Sequence, residues 1–206
     1  MKKILLTTIA TTALSSTAIA DMMDSTFYFR GDILSTQFEK VAFETFKFKE
    51  KMNGSLDFGL GYNIEDNIRA EIVYTHMFPI VFKRCAGPVH NAYIKAYADS
   101  VILRGIIDIA DFEFTKIFAG GGAGISRIRH SLTMDYAPQK FNSRLKYNIA
   151  ANILVGASVE LSNSSIMEIG YLYANYGKTK GMKTSIQEGQ IGLRSHNIFL
   201  GLRYEL

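Results

Sequence analysis

His196-Asn197-Ile198-Phe199-Leu200-Gly201-Leu202-Arg203-Tyr204-Glu205-Leu206 puts an apolar residue at every second place: Ile198, Leu200, Leu202, Tyr204 and Leu206. Phe199, Gly201, Arg203 and Glu205 stand between them. Successive side chains of a strand point to opposite faces, so the stretch reads as a strand with one apolar and one mainly polar face. The apolar face needs a cover and the strand edges need partners. A barrel closed within a bilayer supplies both, because lipid covers the face and closure removes the edges. The stretch therefore predicts the closing strand of a membrane barrel. Leu200, Leu202, Tyr204 and Leu206 are expected toward lipid, and Arg203 and Glu205 toward the interior. Its expected partner is the first strand, near Phe27 to Ile33.

The opposite end agrees. Met1-Lys2-Lys3 is a basic start, Ile4 to Ala10 an apolar run, and Ala18-Ile19-Ala20 a small-residue close. That is the layout of a secretory leader with an A-x-A cleavage site, and the run is too short and too rich in Thr and Ser to span a membrane. The expected division is a leader over residues 1–20 and one domain over residues 21–206. No cysteine sits at the cut, which argues against a lipoprotein.

Composition narrows the class. The chain has 206 residues, 48% of them hydrophobic, with 17 Gly, 3 Pro and no Trp. The apolar residues alternate instead of clustering, and no second run is long enough for a transmembrane helix. The formal charge of +4 includes the leader lysines; a surplus this small argues against nucleic acid as a partner. Cys85 is the single cysteine, so no intrachain disulfide can form. A free, partly buried thiol is expected there.

Alternation recurs along the chain. Phe27, Phe29 and Ile33 oppose Tyr28, Arg30 and Asp32, and Leu56, Phe58, Leu60 and Tyr62 oppose Asp57, Gly59 and Gly61. After turn chemistry at Glu65-Asp66-Asn67, Ala70, Ile72, Tyr74 and His76 oppose Arg69, Glu71, Val73 and Thr75. Ser100 to Ile109, Lys116 to Ile128, Lys146 to Leu161 and Ile166 to Tyr173 continue the pattern. Ser35–Asn53, Phe78–Ala98, Arg129–Leu145 and Lys178–Gly189 break it and read as long connections, the second and third containing all three prolines. The fold expected is all-β: an antiparallel transmembrane barrel of about eight strands, with short periplasmic turns and four longer extracellular loops.

A secreted antiparallel sandwich also yields short alternating strands. It would leave its polar faces solvated and open to long flexible charges. Here those faces combine glycine and small residues with Arg30, Arg69, Arg104 and Arg203 and with Asp32, Asp57, Glu71, Asp108, Glu160, Glu168 and Glu205. Lysine is missing from the set. Arginine suits a crowded interior because its planar fork matches carboxylates, and barrels of this size fill their lumen with side chains. A plugged membrane barrel is the better reading.

Motifs for chemistry are weak. Gly120-Gly121-Gly122-Ala123-Gly124 lacks the Gly-Lys-Ser/Thr ending of a phosphate loop and fits a tightly curved strand. His76, His90, His130 and His196 show no metal spacing. In His130-Ser131 and Ser195-His196 the partners are adjacent, and adjacent strand residues point to opposite faces. No catalytic, cofactor or metal site is expected. The basic residues of the long connections are the candidate ligand contacts: Lys83, Arg84, His90 and Lys95; then Arg127, Arg129, His130, Lys140, Arg144 and Lys146; then Lys178, Lys180 and Lys183. Two readings stay open. They are either ordinary loop charge, including contact with lipopolysaccharide phosphates at the membrane rim, or a dedicated binding surface.

Taken together these residues resemble the opacity-type family of small outer-membrane barrels, related in architecture to the OmpA transmembrane domain. Phe118-Ala119-Gly120-Gly121-Gly122-Ala123-Gly124-Ile125 resembles that family's Val-Gly-Ala-Gly-Leu-Gly strand. Leu200 to Leu206 resembles its closing strand and the signal read by the barrel-assembly machinery, with Leu206 where phenylalanine is usual. The resemblance is strongest to rickettsial surface adhesins. It implies a non-enzymatic protein in the bacterial outer membrane that displays loops binding host-cell or serum proteins. The alternative is a structural outer-membrane protein or weak solute channel with no specific ligand.

Overall fold

A computed structural model describes residues 27–39, 53–85, 91–134, 137–142, 146–178 and 192–206. The nine strands found there are β1 Phe27–Phe38, β2 Asn53–Glu65, β3 Ile68–Cys85, β4 Asn91–Phe112, β5 Thr115–Met134, β6 Ala137–Asn142, β7 Lys146–Ser162, β8 Ser165–Lys178 and β9 Gly192–Glu205. Each barrel strand pairs antiparallel with its neighbour, β5 pairs with both β4 and β7, and β9 returns to β1. Eight strands therefore close a barrel, and β6 is a ninth that pairs with β5 outside the ring. Closure matches the expected register: Phe29 lies opposite Tyr204 and Ile33 opposite Leu200.

Side-chain alternation decides what each face meets. In β9, Ile198, Leu200, Leu202 and Tyr204 are exposed, while Phe199, Gly201 and Arg203 are buried. The other strands repeat this, so Phe29, Phe58, Ile72, Leu103, Ile153 and Ile169 all face outward and are about half exposed or more. An apolar surface of this extent is stable only against hydrocarbon. Along β7 the apolar positions run from Ile149 to Val159, roughly ten steps of about 3.3 Å, or about 25 Å of height at a tilt near 40°. Aromatic residues border the belt: Phe27, Tyr62, Phe112, Phe114 and Tyr204 at one end, Tyr74, Phe78, Tyr97, Tyr147 and Tyr171 at the other. This is a membrane-spanning barrel of the outer-membrane type.

Tight turns at 66–67, 113–114 and 163–164 lie at the end where Leu206 N donates to Phe27 O. By the asymmetry general to such barrels, this end is periplasmic. The glycine-rich part of β5 lies opposite β4 in close approach. A Cβ on Gly122 or Gly124 would collide with the backbone carbonyls of Leu103 or Val101. Curvature, not phosphate binding, accounts for these glycines.

Two expected loops are largely strand. β3 continues to Cys85 and β4 begins at Asn91, so the connection between them is confined to 86–90, not Phe78–Ala98. Pro79 did not end the strand because it sits where the register slips between Met77 and Ile80, and no ladder amide is needed there. Arg129–Leu145 is likewise mostly strand, since β5 runs to Met134 and turns back as β6. Pro138 is accommodated because β6 pairs only with β5 among the described residues. The leader expected over residues 1–20, most of the Ser35–Asn53 connection, His90, Arg144, Lys180 and Lys183 lie outside the described residues.

Candidate functional site

The lumen was the first candidate, and the alternation fills it with charge. Arg30 Nε donates to Asp32 Oδ1 and Oδ2 at 3.0 and 2.9 Å, and Arg30 Nη1 lies 3.2 Å from Glu71 Oε1 and 2.8 Å from Glu168 Oε2. Arg69 reaches Asp108 at 2.7 Å and Glu168 at 3.2 Å. Arg104 holds Asp57 at 2.8 Å, and Arg203 lies 3.7 Å from both Glu168 and Glu205. Asp32 and Asp57 stand directly opposite each other across β1 and β2. Like charges in that position repel, but Arg30 and Arg104 each neutralise one of them. Three of the guanidiniums also cover aromatic rings: Arg30 over Phe199, Arg69 over Phe118 and Arg203 over Tyr28, at 5.2, 4.8 and 5.1 Å.

The deeply buried charges balance, with Arg30, Arg69, Arg104 and Arg203 against Asp32, Asp57, Glu71 and Glu168. Glu160 departs from the expected interior set. It is exposed near the periplasmic turn and lies 3.7 Å from Lys116, because β7 has by then run past the end of the packed lumen. Toward the cell-surface end the interior changes to hydroxyls and amides: Thr36 bonds Ser55 at 3.0 Å, and Asn197 donates to Ser195 and to the Leu172 carbonyl. Above these, Phe38, Met77, Ala98, Ile128, Tyr176 and Leu193 form an apolar layer of buried side chains. Among the described residues this network packs the interior, as in barrels that fill their lumen with side chains.

The histidines fit the rim. His76 Nδ1 lies 2.8 Å from Asp99 Oδ1, which also accepts from Tyr74 OH at 3.2 Å. His196 contacts Tyr171 OH and lies 3.5 Å from Glu39, which accepts from Tyr173 OH at 3.2 Å. Ser195 is buried in the lumen while His196 faces outward, so that adjacent pair is not a nucleophile and its base.

The basic candidates come together on an element that sequence reasoning missed. β3, β4, β5 and β6 continue pairing beyond the barrel rim, through Cys85 with Asn91, Ala92 with Met134 and Ser131 with Asn142. From Tyr97 to Asn91 this extension rises about 20 Å along the strand. Lys83 lies opposite Tyr93, Arg84 opposite Ala92, Lys95 opposite Ser131, His130 opposite Ala96 and Arg129 opposite Tyr97. Lys140 is on β6 and Lys146 begins β7 opposite Ile128. Lys178 ends β8 opposite Gly192, apart from this sheet. The signal available in the sequence was the β-branched and aromatic content of Ile80-Val81-Phe82 and Tyr93-Ile94, which Pro79 and Pro88 masked.

No family model matches the chain. It is 28% identical to a protein of Rickettsia typhi named "Putative adhesin", with 99% of each chain covered. A protein of Rickettsia bellii with the same name is also 28% identical, with both chains fully covered. Among solved structures, Neisserial surface protein A superimposes with a TM-score of 0.52 at 19% identity, over 87% of this chain and 97% of that one. Ail, the attachment invasion locus protein of Yersinia pestis, solved with the heparin analogue sucrose octasulfate, gives 0.53 at 12% identity, over 89% and 100%. By name these are putative adhesins, a surface protein and an attachment protein, not enzyme families. The chain is thus a small eight-stranded outer-membrane β-barrel with its loops at the cell surface, similar from end to end to the rickettsial proteins named as adhesins.

Proposed function

We propose that this barrel is a surface adhesin that binds host-cell or serum proteins through the four-stranded sheet β3–β6. The supporting observation is the extension of these strands past the rim, which places Lys83, Arg84, Lys95, Arg129, His130 and Lys140 at positions of one sheet. Binding groups held on strands are better fixed than on loops, so less ordering is lost on contact. Lys178 ends β8 apart from this sheet and has a secondary role in this reading, while Arg144, Lys180 and Lys183 lie outside the described residues.

The test is to replace 81–94 and 131–144 with short Gly-Ser turns in the full chain displayed on cells. The replacement leaves the spanning parts of β3, β4, β5 and β7 in place. Adhesion to cultured cells and capture of serum proteins are expected to be lost, while the unboiled protein keeps a heat-dependent gel shift. A trimmed barrel that is displayed and adheres as well as the full chain would sink the reading. That result would favour a purely structural barrel; the packed lumen argues against a solute channel.

The same reading includes export. The leader is removed after Ala20, the barrel-assembly machinery inserts the domain over residues 21–206, and lipopolysaccharide surrounds its outer rim. Intact mass of the purified protein is expected to start at Asp21; retention of residues 1–20 would contradict export by this route.

A further inference from the structure

One sector of the outer wall differs from the rest of the rim. On β4, Lys95, Tyr97 and Asp99 face outward just above Val101; on β5, Arg127 and Arg129 do so above Ile125; on β7, Tyr147 does so above Ile149. The register brings them side by side, with Tyr97 opposite Arg129, Asp99 opposite Arg127, and Arg127 opposite Tyr147. Three cations therefore sit above a wall that is fully apolar, at the upper edge of the belt.

Their local acid does not neutralise them. Asp99 Oδ1 is taken up by His76 and Tyr74, and its Oδ2 is 4.0 Å from Arg129, the limit of an ion pair. Arg127 Nε is shielded from solvent and has no hydrogen-bond partner among the described residues. On the far side of the barrel the corresponding rim cation, Arg194, lies 3.7 Å from Glu39. Three cations against one acid, above a hydrocarbon-facing wall, complement an amphiphile with phosphates above and acyl chains below. A soluble anion would leave the wall unused.

We infer that the β4–β5–β7 sector is a docking site for a phosphorylated outer-leaflet lipid, with Lys95, Arg127 and Arg129 holding the phosphates and the Val101–Ile125–Ile149 wall holding the acyl chains. It rests on the orientation given above, with the long strand ends outward, and not on the sheet being adhesive. Guanidinium groups pair phosphate oxygens two at a time, and Tyr97 and Tyr147 flank them at the depth where headgroups meet tails.

The test uses the full barrel in phosphatidylcholine nanodiscs doped with bis-phosphorylated lipid A, reading the lipid retained per protein after detergent extraction. R127Q/R129Q is expected to retain about tenfold less than the unaltered barrel, since two charge-assisted contacts are removed. R194Q, on the opposite sector, is expected to stay within about twofold of it. Dephosphorylated lipid A is expected to be retained no better by the unaltered barrel than by R127Q/R129Q. Millimolar inorganic phosphate is expected not to displace bound lipid A. Equal retention by R127Q/R129Q, an equal loss in R194Q, equal retention of the dephosphorylated lipid, or displacement by inorganic phosphate each overturns the site. If R127Q/R129Q lacks the heat-dependent gel shift, K95Q/R129Q at the two exposed positions carries the test, with at least a threefold loss expected. The assay contains no host ligand, so it stands or falls independently of adhesion.

Discussion

Arg30 is the residue on which the interior charge network turns. It faces Asp32, Glu71 and Glu168 at once, and all four side chains are almost fully shielded. Ion pairs in such a setting add little over an apolar replacement of the whole group, but removing one partner strands the others in low dielectric. Arg30→Met is therefore expected to destabilise the barrel by about 3–5 kcal/mol, read as a lower urea midpoint for loss of the gel shift. A midpoint unchanged by the substitution would mean that the three acids find protons or water without cost. The presence of arginine inside was legible from residue type and face. Its partners were not, because Arg30 and Glu168 are separated by most of the chain and meet only when β9 and β8 complete the ring.

Among the strands, β7 gives the sharpest test of what the outer face meets. Ile153 lies near the middle of its apolar run and is 62% exposed. Arginine there would be harmless on a solvated sandwich, where surface substitutions stay within about 0.5 kcal/mol. Facing lipid, Ile153→Arg is expected to cost about 2–4 kcal/mol, measured by reversible unfolding in lipid vesicles. A neutral effect would count against the membrane orientation. Strand interiors could be read from alternation throughout, but strand ends could not. Proline is a breaker only where its missing amide would have been used, and whether it is used depends on the neighbouring strand. Pro79 at a register slip and Pro138 on a strand with one partner escape that cost.

At the scale of the whole molecule, closure converts alternating strands into a lipid-facing belt and a packed lumen. Among the described residues, charged, polar and apolar layers succeed one another upward from the periplasmic end. Planar bilayers containing the purified barrel are expected to show no steady conductance above background. Reproducible open-channel steps would contradict the plug and restore the solute-channel reading. The arrangement also sets two surfaces one above the other, a sheet that projects beyond the membrane and a basic sector level with the headgroups, which share Lys95 and Arg129.

By itself the sequence determined which side of each strand is apolar, that arginine and not lysine goes inside, and where the chain reverses tightly. These follow from a period of two and from turn chemistry, both properties of a few neighbouring residues. Only the tertiary structure decided where β3, β4 and β5 stop, which acids each arginine meets, and that Lys95, Arg127 and Arg129 share one sector of wall. Those depend on register between strands far apart in the chain, and register is fixed only when the barrel closes.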